Sequence, residues 1–168
     1  MFGFGSIRAQ STKAGIAALQ PMMGVLQSFG ASGIPVGMWE DPYIIGFTQM
    51  TISFRAKIAT NGKARGVDLG QALVDVYTAV SHMNGTAILK DALKLMEQRQ
   101  PDYMRGANDG ITIQEYTFDM LKNEKIPLVV QALTDAQAMG KSDHKGTVIA
   151  IMMQATWLKE VQRLIDRK

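Results

Sequence analysis

Residues 41–62 read DPYIIGFTQMTISFRAKIATNG, and the fold turns on whether this stretch is helix or strand. Two periodicities compete within it. Met50, Ile52, Phe54, Ala56 and Ile58 alternate with their neighbours as one face of a strand would, whereas Tyr43, Phe47, Met50, Phe54 and Ile58 recur at the three- and four-residue spacing of a helix face. The ends decide. The Asp41 carboxylate can accept from the free amides of a first turn, and Pro42 stands where a helix has no use for an amide. Asn61-Gly62 can take the left-handed turn that ends a helix. The stretch is therefore expected to be a helix over residues 42–60, with the Tyr43 to Ile58 face in the core.

The chain downstream carries further helix punctuation. Asp68 with Gln71 three residues on reads as a capping box, and Leu69, Leu73, Val76, Val80 and Met83 form an apolar stripe that stops at Asn84-Gly85. A helix over residues 86–99 is expected to be halted by Pro101. Asn108-Asp109-Gly110 reads as a turn, followed by a second capping box, Thr112 with Glu115, that opens a helix over residues 112–123. Ile126-Pro127 opens another helix that closes at Gly140. The last starts at Thr147 and runs through Val148, Ile151, Ala155, Leu158, Val161 and Ile165. Upstream, residues 12–29 make a poorer helix that Pro21 should kink. These readings define an all-α, single-domain bundle of six or seven helices, and 168 residues suffice to bury a core without staples.

Charge is distributed very unevenly. Of 33 charged residues, Arg8 and Lys13 come first, Glu40 and Asp41 follow, and the remaining 29 lie after residue 54; residues 14–39 carry none. A stretch that avoids charge so completely belongs inside the fold, against a partner or against lipid. Residues 1–40 are thus expected to form an uncharged, glycine-rich interface or packing arm on a helical domain of residues 41–168, with Met22, Met23, Leu26, Phe29 and Trp39 as candidate interface residues. Gln20, Pro21, Gln27 and five glycines between Gly15 and Gly37 dilute the run too much for a spanning helix, and no small-x-small cleavage site follows it. The absence of cysteine excludes disulfides and thiolate metal sites and fits a reducing, cytoplasmic setting, with a peripheral membrane location as the alternative.

Motifs for chemistry are sparse. His82 and His144 are the only histidines; His82 ends a helix, where a partial positive charge is welcome, and His144 lies in a polar loop. There is no G-x-S-x-G elbow, phosphate loop or dinucleotide fingerprint. Glu115 and Asp119 share a face of the helix expected there but read as solvated surface. No catalytic residue, metal site or cofactor is expected. The best binding cluster is Arg55, Lys57, Lys63 and Arg65, four cations with no acid between Asp41 and Asp68, suited to phosphate oxygens. A net charge of +3 and a sequence pI near 9.2 are too mild to imply a nucleic-acid partner. The expected function is non-enzymatic assembly, by self-association or with a protein partner, through the uncharged segment. A small-ligand pocket or enzyme site lined by residues 43–54, and anion binding at residues 55–65 on a membrane surface or nucleic acid, are the alternatives.

Overall fold

The computed structural model describes residues 6–28, 35, 37–123, 125–141 and 144–167. Over these residues the chain is all α, with no strand, and residues 42–59 are helix, as the Asp-Pro cap predicts. The helices are α1 (Ile7–Ser28), α2 (Pro42–Ala59), α3 (Gly66–Ser81), α4 (Gly85–Glu97), α5 (Pro101–Thr117), α6 (Pro127–Ala138), α7 (Lys145–Met153) and α8 (Lys159–Ile165). A π-turn, Gln154–Leu158, joins α7 to α8 without a break, so the two act as one bulged rod.

α2 lies at the centre and packs against α1, α3, α4 and α5. The free amides of its first turn are capped as expected: Asp41 Oδ1 accepts from Tyr43 N and Ile44 N at 3.0 and 3.2 Å. Because neighbours cover it on several sides, residues 43–49 are all buried, together with Thr51, Ile52, Ser53 and Ala56. A helix buried nearly all round cannot carry charge cheaply, which is why Pro42 to Phe54 contains none. The expected core face holds at Tyr43 and Phe47, but it turns outward toward the C-terminus, leaving Ile58 exposed.

The tightest contact is between α2 and α5, which run parallel: Tyr43 lies against Gly106, Phe47 against Gly110, and Arg55 against Gln114. A Cβ on Gly106 would sit 2.1 Å from the Tyr43 carbonyl oxygen. One on Gly46 would sit 2.2 Å from that of Tyr103, and one on Gly110 2.6 Å from that of Phe47. The obstructing atoms are backbone, so they cannot swing aside. Each interior glycine costs about 1 kcal/mol of helix propensity relative to alanine, and the close backbone approach is what offsets that cost.

This packing overturns the expected turn at Asn108-Asp109-Gly110. Those residues are interior to α5, which begins with Pro101 at its first position and is capped by Gln100, whose side chain accepts from Tyr103 N at 2.6 Å. Thr112 is buried mid-helix, and the Thr112/Glu115 capping box does not form. Nor does the box at Asp68. α3 starts earlier, at Gly66, and Gln71 instead accepts from Arg8 of α1 at 3.2 Å. Asn84 does cap α4, through bonds from Thr86 N and Ala87 N.

α1 belongs to the same core as the rest. Leu19, Met22 and Leu26 join the cluster formed by Trp39, Phe47, Val76, Trp157 and others, and Gly15 lets α1 settle between Ile52 and Val76. Over Ile7–Ser28 the segment read as an arm therefore packs as part of the bundle.

Glycine substitutions separate contact from propensity. Gly46→Ala and Gly106→Ala should each destabilise the protein by about 1–3 kcal/mol despite alanine's better helix propensity. Gly70→Ala, in α3 with no neighbour within 4 Å, should stabilise by roughly 0.5–1 kcal/mol. Urea unfolding monitored by circular dichroism reads both signs, and equal gains at all three positions would contradict the close approach.

Candidate functional site

The basic cluster is not one site. Arg55 is half-buried: its Nε donates to Gln114 Oε1 at 2.8 Å, its guanidinium lies 4.7 Å from the Phe118 ring centre, and burial lowers its pKa. It is committed to α5. Lys57, in the last turn of α2, and Lys63 and Arg65, in the α2–α3 connection, are exposed. The connection itself is well held. Asn61 and Gly62 take left-handed conformations, Gly62 N donates to Lys57 O at 2.7 Å, and Thr60 Oγ1 accepts from Ala64 N at 2.9 Å.

The candidate interface residues divide differently. Met22, Leu26 and Trp39 are buried within the chain, Met23 is half-buried against the same core, and Phe29 lies outside the described residues. Trp39 packs edge-on to Tyr77 with ring centres 5.9 Å apart. Met22, Leu26 and Trp39 thus pack inside the chain, while Met23 keeps part of its surface. The exposed face of α1 is a different set: beyond Lys13, among the described side chains, it consists of Ala17, Gln20, Pro21 and Gly24. A groove of about 600 Å³ runs along the first part of this face, over Ala9, Lys13, Ile16, Ala17 and Gln20, and its edge is the ion pair of Arg8 Nε with Asp75 Oδ2 at 2.7 Å.

Sequence reasoning missed a polar junction where α2, α5 and α8 meet. Asp41, besides capping α2, accepts from Arg163 Nη2 through Oδ2. Arg163 Nε donates to Glu160 Oε2 at 2.6 Å, and Arg105 Nη1 to Glu160 Oε1 at 2.8 Å. The Arg105 guanidinium also covers the Tyr43 ring at 4.3 Å, and the Tyr43 hydroxyl donates to Asp109 Oδ2 at 2.8 Å. Burial opposes ionisation of Glu160, but bonds from Arg105 and Arg163 outweigh it and hold this carboxyl below the usual range. Asp109 behaves oppositely: burial pushes its carboxyl up, against the Tyr43 bond and the Arg105 charge. Burial, then the Asp109 charge, raises the Tyr43 hydroxyl. The groups point at one another, which is how a clasp is built. Its members lie up to 122 positions apart, so only the Asp41 cap and the i,i+3 pair of Glu160 with Arg163 are locally recognisable.

Other chemistry-bearing residues are dispersed. Asp119 follows the end of α5 and pairs with Lys145 at 2.7 Å, away from any joint action with Glu115. His82 ends α3 in the left-handed conformation, and His144 precedes α7 without capping it through its side chain. Among the described residues no group of three or more His, Asp or Glu could hold a metal ion. Clefts of about 200 and 190 Å³ touch α2 at Ile45 and the turn at Gly37–Glu40, below the roughly 300 Å³ at which small-molecule sites begin. No known protein family, curated protein or solved structure matches this chain.

The junction predicts opposite pH behaviour for its two acids. Because the Glu160 pKa is depressed on folding, its contribution is present above the unfolded value and lost as pH falls through the folded one. Glu160→Gln should cost about 1–3 kcal/mol at neutral pH, with the deficit closing as pH falls below the ordinary glutamate range. Because the Asp109 pKa is raised, ionisation works against folding as pH rises. Asp109→Asn, which keeps an acceptor for Tyr43, should match or exceed wild-type stability at neutral pH and lose that advantage on acidification. Urea unfolding across pH checks both, and parallel pH profiles for all three proteins would refute the assignment.

Proposed function

We propose that the protein is a non-enzymatic assembly module that self-associates through the outward face of α1. The carrying observation is the absence of charge there: among the described side chains past Lys13 the exposed positions of α1 are Ala17, Gln20, Pro21 and Gly24, whereas α4 exposes Lys90, Asp91, Lys94 and Glu97. Solvated helix faces are normally rich in charge, and uncharged outward faces mark contact surfaces.

A second copy is the occupant that fits. Apart from Lys13 and the uncharged Gln20 the groove presents small or apolar side chains, and Arg8 on its edge is already neutralised by Asp75. Two such faces meet without like-charge repulsion when α1 runs antiparallel to its counterpart, since each Lys13 then lies toward the uncharged half of the other helix. Size sets the strength. The 22 residues of α1 span about 33 Å, and a face about 10 Å wide gives roughly 350 Å² per copy, less than half the 800 Å² or so of stable complexes. The association is accordingly weak and concentration-dependent. A ligand pocket on residues 43–54 is disfavoured because neighbouring helices occupy that surface.

The account predicts a dimer that appears in light scattering or sedimentation as concentration rises through the micromolar range. Ala17→Glu with Gly24→Glu, both at exposed positions where Gly24 has open space, should leave a monomer with unchanged circular dichroism and melting temperature. A wild-type protein that stays monomeric throughout, or a double variant that still dimerises, would refute it. Deletion of residues 1–38 is a different experiment and should abolish cooperative unfolding, because it removes Leu19, Met22 and Leu26 from the core.

A further inference from the structure

We infer that the end of the bundle formed by the α2–α3 connection and the C-terminus of α5 docks on an anionic bilayer surface. The inference is independent of the α1 face. It starts from topology: because α2 and α5 run parallel, the last turn of α2 and the end of α5 lie at the same end of the molecule, with the Phe54 and Phe118 rings tilted against each other, centres 5.8 Å apart. That end presents Lys57, Lys63, Arg65 and Lys122, all exposed. Asp119, just past the end of α5, is paired with Lys145, which leaves Glu115 in the last turn of α5 and the exposed Asp68 beside Val67 as two acids against these four cations.

Two helix C-termini account for only part of this charge. Each carries about half a negative charge, so a pair is offset by about one cation, and four stand here. Isolated aliphatic side chains project among them: Val67 is 75% exposed, Met120 50% and Ile58 37%. Val67 stands out, since it occupies the first turn of α3 one residue past the helix start and makes no use of the core.

Cations surrounding protruding aliphatic residues match the bilayer interface, where headgroup phosphates meet the acyl boundary. Nucleic acid fits less well. Single-strand sites need exposed aromatic platforms, and the aromatic pair at this end, Phe54 and Phe118, is half-buried with Arg55 over Phe118. The contact is peripheral, since among the described residues no helix is long and apolar enough to cross a membrane. Each cation near an anionic leaflet is worth about fivefold in partitioning, so Lys57, Lys63 and Arg65 together supply on the order of a hundredfold.

The test is co-sedimentation of the full chain with phosphatidylcholine vesicles, with and without phosphatidylserine, and the Ala17→Glu/Gly24→Glu protein run alongside removes any bivalency. Binding should require phosphatidylserine and disappear in high salt. The triple variant Lys57→Gln/Lys63→Gln/Arg65→Gln should lower the partition coefficient about a hundredfold, with melting temperature as the fold control. Val67→Ser should lower it a further few-fold without altering the salt dependence, a signature of insertion that a bare phosphate site does not produce. Absence of binding to phosphatidylserine vesicles at low salt would overturn the inference. So would tighter binding to an oligonucleotide than to vesicles, or to inorganic phosphate alone with Val67→Ser unaffected.

Discussion

The backbone contact between α2 and α5 is the constraint from which the rest of the arrangement follows. With glycine at residues 46, 106 and 110, the two helices approach until carbonyl oxygens of one occupy the places where side chains of the other would begin. Such proximity leaves little room for water between them and places α2 where α1, α3 and α4 can close around its remaining faces. The lack of charge in residues 42–54 is a consequence, since an ion on a helix so enclosed would need a dedicated partner. The uncharged run over residues 14–39 has two causes: one face of α1 supplies Leu19, Met22 and Leu26 to the core, while its outer face is uncharged without being buried.

The C-terminal rod completes the enclosure. Its π-turn shifts register in mid-course, and Trp157, fully buried there, packs on Phe47 with ring centres 5.5 Å apart. One turn later Glu160 and Arg163 reach Arg105 and Asp41. The apolar contact of Trp157 supplies the larger share of burial, while the ions orient α8 relative to the start of α2. Asp41 therefore acts twice, as a helix cap and as the far end of a charged clasp, with one carboxylate oxygen used for each role.

Much of the helical layout was legible locally. Asp41-Pro42 and Ile126-Pro127 mark helix starts because capping and proline preference depend on neighbouring residues alone, whereas Asn84, read as a stop, also caps the next helix. The misreading of α5 has an equally physical origin. Glycine beside Asn and Asp signals a turn when local propensity decides, and here a second backbone decides instead. Gly106 and Gly110, four residues apart and facing Tyr43 and Phe47 on either side of Gly46, form a recognisable close-packing pattern only once it is known which helix they face. The polar junction was hidden for the same reason, being assembled from residues on three helices. Hydrophobicity marks burial without saying whether the burial is internal, so the packing of Met22, Leu26 and Trp39 inside the chain and the exposure of Ala17, Gln20 and Gly24 were legible only on the folded helix.

The continuity of α5 through its glycines is the point on which this account stands, and residue-resolved amide hydrogen exchange by NMR addresses it directly. If the helix runs unbroken against α2, the amides of Asn108, Asp109, Gly110 and Ile111 exchange only through global unfolding, with the same opening free energy as the core amides of Phe47 and Ile52. Rapid exchange at Asn108 to Gly110, with protection resuming only after Thr112, would show a turn between two shorter helices and contradict it.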